Sequence, residues 1–306
     1  VYTPFKNKWL QKFNSHEMIS DTQLSLINLL NFYKDFPSLH FLDFEQSEIN
    51  VRDYDLNNIN HYAQSRDFPS SDVTSYLGIH LRFGTVSVRT IISKLSGNDS
   101  VFLSELIWRE FFMQILWHFP NTTKDSFKPK YDRIIWRNNE NEFKAWCKGE
   151  TGYPLVDAGM RELNQTGFMH NRVRMLTGSF LCKHLLIDWR WGEAYFAEKL
   201  LDYEMSSNVG NWQWVAGCGV DAAPYFRIFN PILQGEKFDR SGKYVRKWIE
   251  PLQDLPSKWL FKPWEAPTSV LTQSNVTLGQ NYPRPCVDHP EARARALEAL
   301  ATLPKN

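Results

Sequence analysis

The sequence predicts an all-α fold, and three observations support that prediction. From residue 101 onward, apolar residues recur at helical spacing over long segments. Glycine, proline and asparagine separate these segments, as expected where helices end. No run of alternating β-branched residues predicts a hairpin, and no repeat of about 20–50 residues indicates a solenoid.

The predicted helices follow one another along the second half of the chain. In chain order they cover 101–119, 140–148, 157–166, 171–187 and 193–203. The breakers between them are Asn121, Gly149, Gly152, Pro154, Gly167 and Gly192. An Ala-, Arg- and Glu-rich helix is expected near the end of the chain, over 290–303.

Other parts of the chain are predicted to be less regular. The opening VYTPFKNKWLQKF contains a proline and is expected to be extended, and residues 21–75 are polar with short helical patterns. We therefore predict an interdomain linker with the first helices over 1–75 and the main helical domain over 76–306. Residues 205–231 are rich in Gly, Asn and Trp and are predicted to form an irregular loop, a kind of segment that is usually functional.

The composition is that of an ordinary globular protein. The chain has 306 residues, 42% of them hydrophobic and 23% charged, with a net charge of +1, so a nucleic-acid site would have to be a local patch. Charged residues interrupt the longest apolar stretch, and the N-terminus has no signal-peptide layout, so no membrane span is expected. Most of the 12 tryptophans are expected in the core.

Several function classes lack their sequence signatures. Four cysteines without paired metal spacing favour a reducing intracellular compartment and no metal site. Neither nucleotide-binding glycine motif is present, and no serine nucleophile elbow occurs.

One predicted helix carries a cluster of charged and aromatic residues on one face. Glu105, Trp108, Arg109 and Phe112 have the spacing of helical neighbours. They form either a surface Glu–Arg pair beside core aromatics or a carboxylate held in an apolar helix for a purpose. The residues alone leave both interpretations open.

Three further patterns are equally open. Asn171, Arg174, Met175 and Gly178 share a helix face with Arg172 pointing elsewhere, which suits core packing or an anion site. Asp202 and Glu204 are expected at a helix C-terminus, where the helix dipole disfavours a carboxylate unless an arginine or a ligand compensates. Thr74 and Ser75 could cradle a phosphate, although such turns are common.

Several segments share their order and spacing with one protein family. They are HYAQSRDFP, TSYLG, LRFGTVSVR, SELIWREFF, TGYPLVDAGMRELNQTGFMHNRVRM, DWRWGEAYF and NWQWVAGCGVDAAPYFRIFNPILQGEKFD. Through them nearly the whole chain resembles the photolyase and cryptochrome family, and most of all the class I cyclobutane pyrimidine dimer photolyases. The resemblance implies an all-helical FAD-binding domain and an N-terminal α/β antenna domain that is absent from this chain.

The resemblance also implies roles for individual residues. The FAD positions are Tyr62, Thr74, Ser75, Tyr76, Leu77, Gly78, Phe102, Arg174, Asp202, Tyr203, Glu204 and Asn208. Gly78 stands where the family often has Ser, so a backbone contact is expected to replace the hydroxyl. Phe102 stands where Trp or Gln is more frequent, so an apolar contact is expected to be kept and a polar one lost. Arg174 matches the arginine that pairs with Asp202, and Asn208 the residue that faces flavin N5.

The lesion side is implied in the same way. The pocket for a flipped-out pyrimidine dimer matches Glu105, Trp108, Asn171 and Met175. The DNA contacts match Arg66, Arg109, Arg172 and Gln234. The electron-carrying tryptophans match Trp212, Trp189 and Trp136.

Elementary chemistry agrees with these implied roles. A dimer inside the stack cannot be reached and must be extruded. If its apolar helix keeps Glu105 protonated, Glu105 can donate a hydrogen bond to the dimer. Basic residues are enriched in 124–137 and 227–247, where phosphates could be bound.

Three functions compete within the family. A deoxyribodipyrimidine photolyase, a light-dependent carbon–carbon lyase acting on damaged DNA, is favoured because Asn171, Met175 and Asn208 are all present. A cryptochrome-type blue-light receptor that binds FAD without repair is the alternative, and a six-four photolyase is disfavoured by the missing His pair. We expect a monomer in the cytoplasm, at the nucleoid if the cell is bacterial, with any antenna domain or chain supplied separately.

Overall fold

The computed structural model describes residues 1–13, 33–224, 227–301 and 303. Residues 14–32 of the predicted linker, and residues 225–226, 302 and 304–306 of the predicted domain, lie outside the described residues. Within the described ranges the chain is helical, with one isolated bridge between Leu278 and Tyr282. The predicted all-α class is confirmed. None of the described helices is both long and apolar enough to cross a membrane.

Within the described residues the chain forms fifteen α-helices, numbered in chain order. They are α1 Tyr2–Lys12, α2 Tyr62–Ser65, α3 Leu77–Phe83, α4 Val88–Ser93, α5 Ser100–His118, α6 Glu140–Lys148, α7 Pro154–Thr166, α8 Asn171–Ser179, α9 Trp189–Lys199, α10 Met205–Ala216, α11 Pro231–Phe238, α12 Lys243–Trp248, α13 Ser257–Leu260, α14 Thr268–Gln273 and α15 His289–Ala301. Short 3₁₀ turns occupy His40–Leu42, Ile59–His61, Pro69–Ser71, Gly97–Asp99, Pro120–Thr123, Pro129–Arg133, Glu250–Leu252 and Pro263–Glu265.

The main core is built around α7, α8 and the helices packed on them. Trp146, Met160, Phe180 and Trp189 are among its fully buried side chains. Two smaller clusters lie on α5, one joining it to α1 and the other joining it to α3 and α4. Because these two clusters cover different sides of α5, its apolar residues are not confined to one face of the helix.

Several predicted boundaries were displaced. The segment predicted as one helix over 171–187 is α8 followed by a π-helical turn at Phe180–His184. The helix predicted over 193–203 is α9, which begins at Trp189 because the Asp188 side chain caps it by accepting from the backbone N–H of Arg190. The opening expected to be extended is α1, with Pro4 in its first turn, where proline is tolerated.

The prediction of an irregular loop over 205–231 was wrong for its first part. Residues 205–216 form α10, which packs against α5, α8 and α9. Its glycine is required by packing, since a Cβ on Gly210 would lie 2.2 Å from the Phe112 ring. Tertiary contacts thus override the weak helix propensity of Gly, Asn and Ser, and irregular backbone begins only after Gly217.

Candidate functional site

Two neighbouring cavities contain most of the predicted site residues. The first, called the Asp202 cavity, has about 620 Å³ of empty space, part of it open to solvent. The second, called the Trp108 cleft, has about 850 Å³ measured in the same way. Both are lined by Asn171, Met175, Ser207, Asn211 and Trp214. Ligands in the two spaces would therefore be separated by no more than one layer of side chains.

Helices α8 and α10 and the turn after α9 form the Asp202 cavity. It is lined by Asn171, Arg174, Met175, Gly178, Phe196, Leu200, Asp202, Tyr203, Glu204, Ser207, Asn208, Asn211, Trp212, Trp214 and Val215. The predicted helical face of α8 is correct, because its four members all line this wall.

Asp202 is held by one arginine and keeps one oxygen free of protein partners. Arg174 Nη2 donates to Asp202 Oδ2 at 2.9 Å, and Arg174 Nε donates to the carbonyl of Met169 at 2.7 Å. Asp202 Oδ1 is buried without a hydrogen-bond partner in the described protein. A buried acceptor left unpaired beside a cavity is available to a donor from a ligand or from water.

Gly78 packs directly against this carboxylate. A Cβ at Gly78 would lie 2.9 Å from Asp202 Oδ2, which Arg174 already holds. The glycine thus permits the close approach of α3 to Asp202, and a serine at this position would force the carboxylate to move.

Glu204 caps a helix at its N-terminus, and its expected position at a helix C-terminus was wrong. Its carboxylate accepts from the backbone N–H groups of Ser206 at 3.0 Å and Ser207 at 2.9 Å, and from both hydroxyls. Burial alone would raise the pKa of Glu204, but these hydrogen bonds outweigh burial and lower it. The dipole of α10 favours the negative charge here, so no electrostatic penalty needs to be offset.

Asn208 is oriented by Glu193, a residue that sequence reasoning missed. Asn208 Nδ2 donates to Glu193 Oε1 at 2.8 Å and to the Glu193 carbonyl at 3.0 Å. Burial raises the pKa of Glu193, and the hydrogen bond from Asn208 offsets only part of this rise. No spacing rule could have linked two residues on different helices.

The remaining predicted cofactor positions lie outside the lining of both cavities. They are Tyr62, Thr74, Ser75, Tyr76, Leu77 and Phe102. Leu77 and Phe102 are buried in one small cluster, where the Phe102 and Tyr62 rings meet edge to face at 5.1 Å. Tyr76 has a left-handed backbone (φ 51°), and its ring lies 4.0 Å from the guanidinium of Arg52. Helix α3 connects this group to the cavity through Gly78.

The Trp108 cleft lies between α5, α8, α10 and the end of α2. Arg66, Glu105, Trp108, Arg109 and Phe112 line it together with the residues that it shares with the Asp202 cavity. Trp214 lines both spaces and was not predicted; the second tryptophan of NWQW was the available signal.

Glu105 does not have the surroundings that the sequence suggested. Arg66 Nη1 donates to Glu105 Oε1 at 2.5 Å, and the two side chains are 26% and 33% exposed. Glu105 therefore lies beside a cation at a partly exposed cleft, and the predicted apolar surroundings of its carboxyl group are not what the structure shows. The i,i+4 pair with Arg109 is also not formed; Arg109 Nη2 donates to the Leu81 carbonyl at 3.4 Å.

The predicted DNA contacts are only partly gathered at this cleft. Arg66 and Arg109 line it, while Arg172 forms an ion pair with Asp67, and its guanidinium lies 4.3 Å from the centre of the Phe238 ring. Gln234 is on α11, whose last residue is Phe238. Arg66 and Asp67 are adjacent in the chain, and each forms an ion pair with a residue of a later helix. Arg66 pairs with Glu105 on α5, and Asp67 pairs with Arg172 on α8.

The three predicted electron-carrying tryptophans belong to the main core. Trp212 lines the Asp202 cavity and contacts Phe196 at 5.0 Å and Trp146 at 6.2 Å between ring centres. Trp189 is 1% exposed, and its indole N–H has no hydrogen-bond partner in the described protein. Trp136 is half-buried against the same core.

The Asp202 cavity offers both aromatic and polar groups to a ligand. It offers an unpaired carboxylate oxygen of Asp202 for an N–H group, the amide of Asn208, and apolar walls from Trp212 and Phe196. These are the kinds of group that an isoalloxazine ring requires.

Comparison with known proteins agrees with this fit. Residues 102–302 match the family model "FAD binding domain of DNA photolyase", which indicates FAD as the cofactor. The chain is 50% identical over 252 residues to a deoxyribodipyrimidine photo-lyase of Agrobacterium fabrum, covering 80% of this chain and 53% of that protein. The chain thus spans about half the length of this relative.

Two solved structures share the fold. A bacterial class III photolyase from Agrobacterium tumefaciens is 48% identical with a TM-score of 0.77, covering 81% of this chain and 54% of that one. A cryptochrome from Synechocystis is 32% identical with a TM-score of 0.77, covering 88% of this chain and 61% of that one. On the family match and these likenesses, the chain belongs to the DNA photolyase family and carries its FAD-binding domain.

Proposed function

We propose that this chain, with FAD bound, splits cyclobutane pyrimidine dimers in DNA in a light-dependent reaction. The observation that carries the proposal is the shared wall of the Asp202 cavity and the Trp108 cleft. A flavin in the first and an extruded dimer in the second would be close enough for direct electron transfer. The related Agrobacterium fabrum protein bears the name of this activity.

The residues of the Asp202 cavity would hold the cofactor. Asp202 would accept a hydrogen bond from the cofactor at its free oxygen, and Arg174 fixes the orientation of the carboxylate. Glu193 fixes the amide of Asn208, so that its carbonyl oxygen is the group left to face a ligand. FAD, when bound and reduced, supplies an electron on absorbing light, and the protein supplies position and electrostatics.

The residues of the Trp108 cleft would hold the lesion. Trp108 and Trp214 offer ring surfaces for stacking, and Asn171 offers an amide for a pyrimidine edge. In the free protein, Arg66 forms an ion pair with Glu105. A DNA phosphate that binds Arg66 would break this pair and leave the Glu105 carboxyl group free to contact the dimer.

We also propose that the protein acts as a monomer. We propose the cytoplasm, at the nucleoid in a bacterium, because the four cysteines are free, which suits a reducing compartment. An antenna chromophore would be carried by a separate domain or chain, since the described residues form only the helical fold.

The test compares two oligonucleotides of one sequence, with and without a single thymine dimer. The FAD-loaded, reduced protein should bind the damaged strand more tightly and restore the thymines under blue light but not in the dark. Affinity for both strands should fall as salt rises, while the preference persists. A flavin-loaded protein that binds both equally and splits no dimer would decide for a cryptochrome-type photoreceptor, a function that the similarity to the Synechocystis protein makes the second candidate.

A further inference from the structure

One face of Trp108 is covered by a tyrosine from the first helix of the chain. The Tyr2 and Trp108 rings stack with centroids 3.5 Å apart and planes within 7° of parallel. The two rings therefore form a close, face-to-face stack. Because Tyr2 is 7% exposed and Trp108 lines the cleft, the tyrosine lies behind the indole.

Tyr2 is fixed at both ends. Its hydroxyl donates to the Ser104 carbonyl on α5 at 2.7 Å. Its backbone N–H donates to Asp221 Oδ2, in the segment after α10, at 3.2 Å. Burial, followed by the nearby charge of Glu105, raises the pKa of Tyr2 to about 12, so its hydroxyl stays a donor throughout the neutral range. Tyr2 therefore joins α1, α5 and the segment after α10 at one point.

Neighbouring rings complete a rigid support. Phe111 meets Tyr2 at 5.7 Å and Trp108 at 5.5 Å, edge to face in both cases. Lys6, one turn further along α1, donates from Nζ to Ser104 Oγ at 2.5 Å and strengthens the docking of α1 on α5. The indole plane of Trp108 cannot rotate without breaking this arrangement.

We propose that Tyr2 is a positioning residue for lesion recognition, an inference that rests on the proposed function. Tyr2 covers one surface of the indole, and Phe112, which also lines the cleft, meets the same ring at 5.4 Å. A base that enters the cleft therefore meets an indole held at a fixed tilt. A base that stacks on a fixed ring loses less freedom than one that must also immobilise the ring. The segment around Tyr2 thereby contributes to the choice of damaged over undamaged DNA without touching the dimer.

The test measures the ratio of dissociation constants for undamaged and dimer-containing DNA. Tyr2→Leu should lower this preference about 3- to 10-fold, the range of a lost aromatic pair. Tyr2→Phe keeps the stack and should retain the preference of the parent. FAD content and affinity for undamaged DNA should be unchanged in both, because Tyr2 lines neither cavity.

Two controls separate positioning from general damage to α1. Trp9 stacks on Phe13 at 4.7 Å and packs against the same small cluster as Tyr2. Trp9→Leu therefore loosens α1 without removing the Tyr2–Trp108 stack and should leave the preference unchanged. In a Trp108→Leu background, Tyr2→Leu should cause no further loss, because Tyr2 acts through Trp108. An unchanged preference in Tyr2→Leu, an equal loss in Trp9→Leu, or additive losses in the double variant would overturn the inference. A parent protein without any lesion preference would overturn the proposed function itself.

Discussion

The pair between Arg174 and Asp202 allows a prediction whose size can be worked out from the structure. Arg174→Ala removes the donor at 2.9 Å and leaves a carboxylate that is only 17% exposed without its counter-charge. Breaking a fully buried pair costs about 3–5 kcal/mol. Since the Arg174 side chain is 25% exposed, solvent screening reduces the expected loss to about 2 kcal/mol. If these roughly 2 kcal/mol are lost entirely from the free energy of FAD binding, the affinity for FAD should drop about 30-fold.

The chain offers a matched control for this variant. Arg137 pairs with Glu142 at 2.8 Å, with exposures of 31% and 16%, and also donates to a backbone carbonyl, that of Leu185, at 3.1 Å. Arg137→Ala should therefore destabilise the protein by a similar amount without affecting FAD, because neither partner lines the Asp202 cavity.

The assay is a titration of FAD into the flavin-free protein, followed by flavin fluorescence, with urea unfolding of the same samples. Adding Asp202→Asn to Arg174→Ala should recover part of the lost stability, because no stranded charge remains. Equal FAD affinity in the parent and Arg174→Ala, or the same loss in Arg137→Ala, would refute the reasoning.

Two further predictions concern buried aromatic and histidine side chains. Trp212→Phe should abolish light-driven reduction of the bound flavin, because Trp212 lines the Asp202 cavity. The control is Trp264→Phe, which changes a core residue that does not line this cavity and should lower only the stability of the protein. An unchanged photoreduction rate in Trp212→Phe would contradict the proposed role of Trp212. Burial, then the charges of His289 and Arg295, lowers the pKa of His184 to about 3, so the folded protein holds it neutral while the unfolded chain takes up a proton below about pH 6.5. Stability should therefore be complete above that pH and be lost as the pH falls toward 3, by up to about 1.4 kcal/mol per pH unit from this group. His184→Gln should reduce the slope measured by urea unfolding between pH 7 and 5 by about 1 kcal/mol per pH unit on average, since the unfolded chain is only partly protonated near pH 6.5. An identical slope would exclude His184 as its source.

The sequence by itself determined the elements whose physics is local. Helix α6 has the predicted bounds, because Asn139 caps its start and Gly149 ends it with a positive φ of 68°. Gly167 ends α7 in the same way. The common face of Asn171, Arg174 and Met175 followed from helical spacing alone, and the structure places all three on one cavity wall.

Only the tertiary structure decided the partners of the polar groups. Glu105 pairs with Arg66 on another element, although Arg109 lies one turn away on its own helix. Glu193 meets Asn208, and Tyr2 stacks on Trp108 from the far end of the chain. Such pairs depend on how the helices pack, and spacing along one helix contains no information about a side chain on another.

Helix α10 shows the same division within one element. Its Gly, Asn and Ser residues predict irregular backbone, because their helix propensity is low. It is helical partly because Glu204 caps its start. Close packing supports it as well: Gly210 lets α10 approach Phe112, and Gly192 on α9 leaves room for Trp212. A Cβ on Gly192 would lie 2.1 Å from the Trp212 ring. Helix propensity describes an isolated segment in water, whereas close packing in the core determines the conformation of α10. The same packing therefore determines the wall that the two cavities share.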